Sequence, residues 1–122
     1  MNKRDLQKFA RRLLEEKIRL LREIGVEEKA LEELAKEASG DLSSFAFHMA
    51  DQSGETYRRE LKASLTSEQT QILKAIDLAL KRIHDGTFGV CTRCGEKIEK
   101  DRLDYLPYAM HCIKCQRLVE SS

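Results

Sequence analysis

Residues 4–38 read RDLQKFARRLLEEKIRLLREIGVEEKALEELAKEA, and the spacing of their apolar side chains decides the fold class. Leu6, Ala10, Leu13, Lys17, Leu20, Ile24, Glu27, Leu31, Leu34 and Ala38 follow one another at alternating intervals of four and three. All but Lys17 and Glu27 are apolar. This is a coiled-coil seam, a narrow stripe suited to one partner helix. At ~1.5 Å per residue it predicts a helix roughly 50 Å long, which so thin a face cannot stabilise alone. Gly25 interrupts the run, at a cost of about 1 kcal/mol relative to alanine.

The partner lies downstream. Leu65, Gln69, Ile72, Ile76, Ala79 and Ile83 repeat the four–three spacing, and Tyr57 and Leu61 extend it upstream. Thr66 and Gln69 are spaced as a capping box, a fresh helix start. The polar run from His84 to Thr87 ends the helix, with Gly86 as the stop. Between the two seams, residues 38–44 are rich in turn formers, so the helices are antiparallel neighbours with a bend at about residues 39–53. Gly25 and Ser67 are equidistant from residue 46, which leaves open a hinge across both helices or two tolerated poor helix formers.

Composition agrees with an elongated helical chain. Of 122 residues, 35% are charged and 6% aromatic, and Pro107 is the single proline. Few residues of such a chain can be fully buried. No apolar run approaches the ~18 residues of a membrane span, and the polar start MNKRDLQKFARR is unlike a secretion signal, so a cytoplasmic protein is expected. The formal net charge is +1. Four thiolates around one divalent ion would bring it near −1, a poor start for a general nucleic-acid binder. Residues 41–57 hold Asp41, Asp51 and Glu55 and no Lys or Arg.

The chemistry sits in four cysteines: Cys91 and Cys94, then Cys112 and Cys115. Two residues between paired cysteines let both thiolates of a tight knuckle point at one ion, and a second knuckle completes a tetrahedron. Disulfides do not suit a chain without a secretion signal, and a redox pair needs a βαβ context that is absent. One structural Zn2+ is therefore expected, with Cys91, Cys94, Cys112 and Cys115 as ligands. Four sulfurs leave no open position for water, so catalytic zinc is not expected. His111 adjoins Cys112 and reads as exposed or as a neighbour of the ligand shell. The expected organisation is a coiled-coil hairpin over residues 1–87 and a four-cysteine zinc finger with a C-terminal helix over residues 88–122. On that division, Cys112→Ser unfolds the finger and leaves the hairpin largely helical.

The segment from Phe88 to Ile98, FGVCTRCGEKI, continuing through Arg102, Leu103 and Pro107 to Cys112-Ile113-Lys114-Cys115, resembles the DksA/TraR family of C4-type zinc-finger proteins. The helix ending from Ala79 to Thr87 is similar too, and over residues 1–69 the likeness is architectural. The resemblance implies a non-enzymatic regulator that binds bacterial RNA polymerase without reading DNA sequence. It implies a coiled coil entering the secondary channel, with acidic tip residues approaching the catalytic centre. Family tips carry two aspartates and an alanine; here Asp51 matches the second aspartate, His48 replaces the first, and Ser53 replaces the alanine. Asp51 is also read as a helix cap or a solvated loop acid. The basic family positions that contact ppGpp fall at Glu68, Ala75 and Gln116, which argues against a ppGpp response.

Two other functions compete: a zinc-finger adaptor or DNA-binding module, and a thiol- or zinc-responsive redox switch. A DNA-binding finger wants a net basic surface, yet residues 91–122 hold six Lys or Arg and five Asp or Glu. A redox switch wants exposed sulfurs of low pKa. No Ser/His/Asp set, phosphate loop or paired carboxylates suggest an enzyme. A monomer is favoured, and no membrane partner is expected.

Overall fold

The computed structural model describes residues 1–37 and 65–121, and over these the chain is mainly helical. The expected bend at residues 39–53, with His48, Asp51 and Ser53, lies outside the described residues. Five helices are described: α1 (Lys3–Glu23), α2 (Glu28–Glu37), α3 (Ser67–Asp85), α4 (Lys100–Tyr105) and α5 (Ile113–Glu120). Among the described residues, one antiparallel bridge, Val90 to Lys97, is the only sheet-like pairing.

Helix α1 starts where Asn2 caps it, its side chain accepting from the Asp5 amide at 2.8 Å. It pairs with α3 antiparallel: Phe9 meets Phe88 with ring centroids 5.3 Å apart, and farther along α1 Lys17 meets Asp77. Helix α3 has the ends expected from sequence. Thr66 Oγ1 accepts from the Gln69 amide at 3.1 Å, and Gln69 Oε1 accepts from the Thr66 amide at 3.0 Å. At the other end Gly86 takes a left-handed conformation, φ +82°, which glycine adopts without a Cβ penalty.

The helix expected over residues 4–38 is two helices. Helix α1 closes in a Schellman motif: the Val26 amide bonds the Leu21 carbonyl at 3.0 Å and the Gly25 amide bonds the Arg22 carbonyl at 3.2 Å. Gly25 supplies the positive φ of +97° that this turn requires. Val26 joins Leu21 in one apolar cluster, the hydrophobic contact that accompanies such an ending. The same cluster holds Leu14, Leu31 and Leu34. Leu14 lies roughly 20 Å of helix before the start of α2, so α2 reaches it only by folding back along α1. Outside the corner, Arg22 clasps Glu28 through Nε at 3.1 Å and Nη2 at 2.8 Å.

Burial is wider than the seam. Ala10, Leu13, Lys17, Leu20, Leu31 and Leu34 are buried as the spacing predicts, and so are Phe9, Leu14 and Leu21 outside it. Glu27 is exposed. The extra burial follows from α1 having several neighbours. Phe9 joins the core shared with α3 and the cysteine region, while Leu14 and Leu21 face α2. Near the start of α1, Arg12 donates to the Asp104 carbonyl and Lys8 lies 3.6 Å from the Asp104 carboxylate, docking the end of α4.

The polar interruption of the seam has a clear partner. Lys17 Nζ sits 2.7 Å from Asp77 Oδ1, with both side chains almost wholly buried. Removing one member of such a pair strands a buried charge, whereas replacing both with apolar groups does not. Asp77→Ala is expected to lower unfolding stability by about 3–5 kcal/mol, and the double variant Lys17→Met with Asp77→Leu to be near neutral or stabilised. Denaturant titration followed by circular dichroism separates the two. Equal losses in both variants would show that the pair's shape, not its charge, is what the site requires.

Candidate metal centre

Two short structures bring the four sulfurs together. In the first, the chain leaves α3 through Gly86 and forms a knuckle closed by amide bonds from Gly95 to the Cys91 carbonyl at 3.0 Å and from Cys91 to the Glu96 carbonyl at 2.8 Å. Gly95, at φ +79°, turns the chain directly after Cys94. The second is a helix start. Cys112 is the N-cap of α5, its Sγ accepting from the Cys115 amide at 3.4 Å, so both sulfurs face one side of the first turn. The Thr92 amide and hydroxyl both bond the Met110 carbonyl, at 2.9 and 3.2 Å, and lock the knuckles together.

All four Sγ atoms lie within 4.8 Å of one another, and Cys94 and Cys112 are 3.8 Å apart. A tetrahedron with Zn–S of ~2.3 Å has an edge of about 3.8 Å, so the donor set fits one zinc ion. Bound there, zinc would act as a structural cross-link. Cys91, Cys112 and Cys115 are buried and Cys94 is exposed. Arg93 and Lys114, with Glu96 and Glu99, line the open side of the site beside Cys94.

The sulfurs differ in acidity. Burial pushes the Cys91 thiol up, but hydrogen bonds from the backbone of Cys94, Cys112 and Arg93 outweigh it and bring Cys91 down to about 5. Burial and then the neighbouring sulfurs push Cys115 up to about 12. Cys94 is also raised; the backbone beside Glu96 favours its thiolate, and burial with the adjacent Cys91 and Cys112 sulfurs opposes it. The group titrates as a set, and a divalent cation is what allows all four to ionise together.

Around this centre the finger and the hairpin share one core. Cys91, Cys112 and Cys115 belong to the same apolar cluster as Phe9, Ala10 and Leu13 of α1 and Ile76, Leu80 and Ile83 of α3. Arg82 of α3 donates to the Thr87 carbonyl at 2.8 Å and the Val90 carbonyl at 2.5 Å, tying the helix end to the knuckle. The finger therefore supplies part of the surface on which α1 and α3 are buried, a coupling that the division at residue 88 does not anticipate.

His111 is not turned toward the sulfurs. Its Nδ1 lies 3.3 Å from Gln116 Oε1, and its carbonyl accepts from Arg102 Nε at 2.9 Å. Glu68 and Ala75 of α3 and Gln116 of α5 line one groove of about 620 Å³ between the two helices. Arg102, part of the family-like segment, also lines it, as does Arg117, which no sequence motif singled out. Among the described residues, no helix is long and apolar enough to cross a membrane.

Residues 86–121 match the model of the prokaryotic dksA/traR C4-type zinc finger. Over 116 residues the chain is 31% identical to the RNA polymerase-binding transcription factor DksA of Caulobacter vibrioides, covering 95% of this chain and 76% of that protein. An uncharacterized protein of Aquifex aeolicus is 38% identical over 121 residues, 98% of this chain and 79% of its own length. The solved RNA polymerase binding protein and transcriptional regulator Dks from Chlamydia trachomatis is 29% identical, with a TM-score of 0.44 over 62% of this chain and 87% of that one.

Zinc affinity is expected to rise with pH. At pH 7 Cys91 is already a thiolate, whereas Cys94 and Cys115 still carry protons that binding must release. Acidification therefore weakens the site, more steeply below about 5, where Cys91 protonates too. Calorimetry of zinc binding in two buffers of different ionisation enthalpy counts the protons. One zinc per chain and about two or more protons released at pH 7 are expected; release of none would contradict this order of acidities.

Proposed function

This chain belongs to the DksA/TraR family of C4-type zinc-finger proteins, and on that footing we propose that it binds bacterial RNA polymerase and modulates initiation through the secondary channel. One observation carries the reading: similarity to an RNA polymerase-binding transcription factor extends over 95% of the chain, not over the finger alone. Helices and finger are therefore matched together, as a shared task requires. Relatives in several bacteria are named as RNA polymerase-binding transcription factors.

On this reading the two parts divide the work. Residues 1–87 provide reach, and residues 88–122 form the zinc-held base, with one Zn2+ on Cys91, Cys94, Cys112 and Cys115. Reach is useful only if the far end carries chemistry. Asp51, with His48 and Ser53, is assigned that role because it lies in the basic-free stretch of residues 41–57. A carboxylate delivered to a metal-bearing catalytic centre acts strongly, because a divalent ion dominates local electrostatics. On an open surface it is screened within about 10 Å and does little.

The test separates binding from effect. Asp51→Asn is expected to keep polymerase affinity within about twofold while losing most of the effect on transcription in vitro, since a single charge contributes little to a large interface. His48→Ala is expected to act more weakly. Binding is read by co-purification and titration in parallel with promoter runs. No association with RNA polymerase in either assay would remove the proposal; full activity in the Asp51 variant would remove Asp51 from it.

A further inference from the structure

A peptide bond is planar, so holding the carbonyl oxygen ahead of a residue also fixes the plane from which that residue's side chain projects. The peptides that enter Cys91 and Cys112, the first cysteine of each pair, therefore aim the two knuckles. Each of these peptides is gripped at its oxygen by an arginine. Arg82 Nη2 donates to the Val90 carbonyl at 2.5 Å, and Arg102 Nε donates to the His111 carbonyl at 2.9 Å. The two side chains come from the last turns of α3 and α4.

Further bonds stiffen the same two places. Arg82 Nη2 also holds the Thr87 carbonyl at 2.8 Å, and the Cys91 amide donates to the Glu96 carbonyl at 2.8 Å. The peptide between Val90 and Cys91 is thus held at both its oxygen and its nitrogen. Ahead of Cys112, two successive carbonyls are taken, Met110 by the Thr92 amide and His111 by Arg102. Arg82 and Arg102 are both half-buried, where a charged donor bonds more strongly than a neutral one and is screened less by salt. Four thiolates around a divalent ion leave about two negative charges, which two guanidiniums balance. For Arg82 the attraction is direct: burial pushes its guanidinium down from the ordinary value, and the Cys91 thiolate opposes that shift.

We infer that Arg82 and Arg102 are the positioning residues of the metal centre: each orients one knuckle from behind its first cysteine and offsets thiolate charge, so that together they set the affinity for zinc. Neither is a ligand. Both act through the carbonyl they hold, as groups behind a ligand shell commonly do. The cations on the open side differ. Arg93, Lys97 and Lys114 stand among Glu96 and Glu99, which cancel much of their charge. Lysine at position 82 or 102 would keep the charge but lose the planar, always-ionised guanidinium that makes these bonds. The inference concerns the metal centre alone and does not depend on what the protein binds.

Zinc affinity of the full chain, read by competition with a chromogenic chelator, tests the assignment, and the visible spectrum of the cobalt-substituted protein reports the ligand geometry alongside. Arg82→Met and Arg102→Met are each expected to weaken zinc binding by about 10- to 100-fold and to alter the cobalt spectrum. Arg82→Lys and Arg102→Lys are expected to recover part of that loss, and they carry the comparison if a methionine variant fails to fold. Lys97→Met removes a cation from the open side and is expected to change zinc affinity by no more than about twofold. Zinc affinity and cobalt spectrum unchanged in all four arginine variants would overturn the assignment, even if the zinc-loaded protein melted earlier, because the arginines would then only tie the fold. An equal loss of affinity in Lys97→Met would overturn it too, since any nearby positive charge would serve.

Discussion

Four sulfurs within 4.8 Å of one another are a constraint on the whole molecule, not only on the finger. As thiolates they repel, and as thiols they bury weak polar groups beside Ile98 and Leu103. A divalent cation removes both difficulties and turns two turns of unrelated origin, a glycine knuckle and a helix start, into one rigid corner. Because three of those cysteines lie in the cluster that contains Phe9, Leu13, Ile76 and Leu80, the corner also supplies part of the surface that buries α1 and α3. Metal, finger and hairpin base are thus linked through a shared core.

The hairpin adds a second constraint of a different kind. An apolar seam specifies that two helices meet but tolerates sliding, since one leucine resembles the next. The buried Lys17–Asp77 pair removes that freedom, because a shifted register would leave a charge without its partner. Its contribution is therefore to alignment more than to stability.

Much of this was legible in the residues. The alternating spacing, the Gly86 stop and the capping box at Thr66 all carry local signals that the structure reproduces, and the paired cysteines fixed the metal chemistry by spacing. What escaped was burial outside the seam and the reversal at Gly25. Heptad reading assumes a single partner, and α1 has several, so Phe9, Leu14 and Leu21 were missed. A glycine in a helical run looks the same whether it is tolerated or terminates the helix. The distinguishing mark here was Val26 following it, poised to contact Leu21. Arg117 escaped for another reason: no motif marks it, and it lines the groove beside α3 only after folding.

The central claim, that the metal corner and the hairpin base are one cooperative unit, is tested most directly by hydrogen exchange with and without zinc. The account predicts that chelation lowers amide protection not only across residues 88–115 but also in residues 9–13 of α1 and 76–83 of α3, because these bury themselves against the finger. Protection lost from the finger alone, with α1 and α3 unchanged, would contradict it and show two independently folding parts.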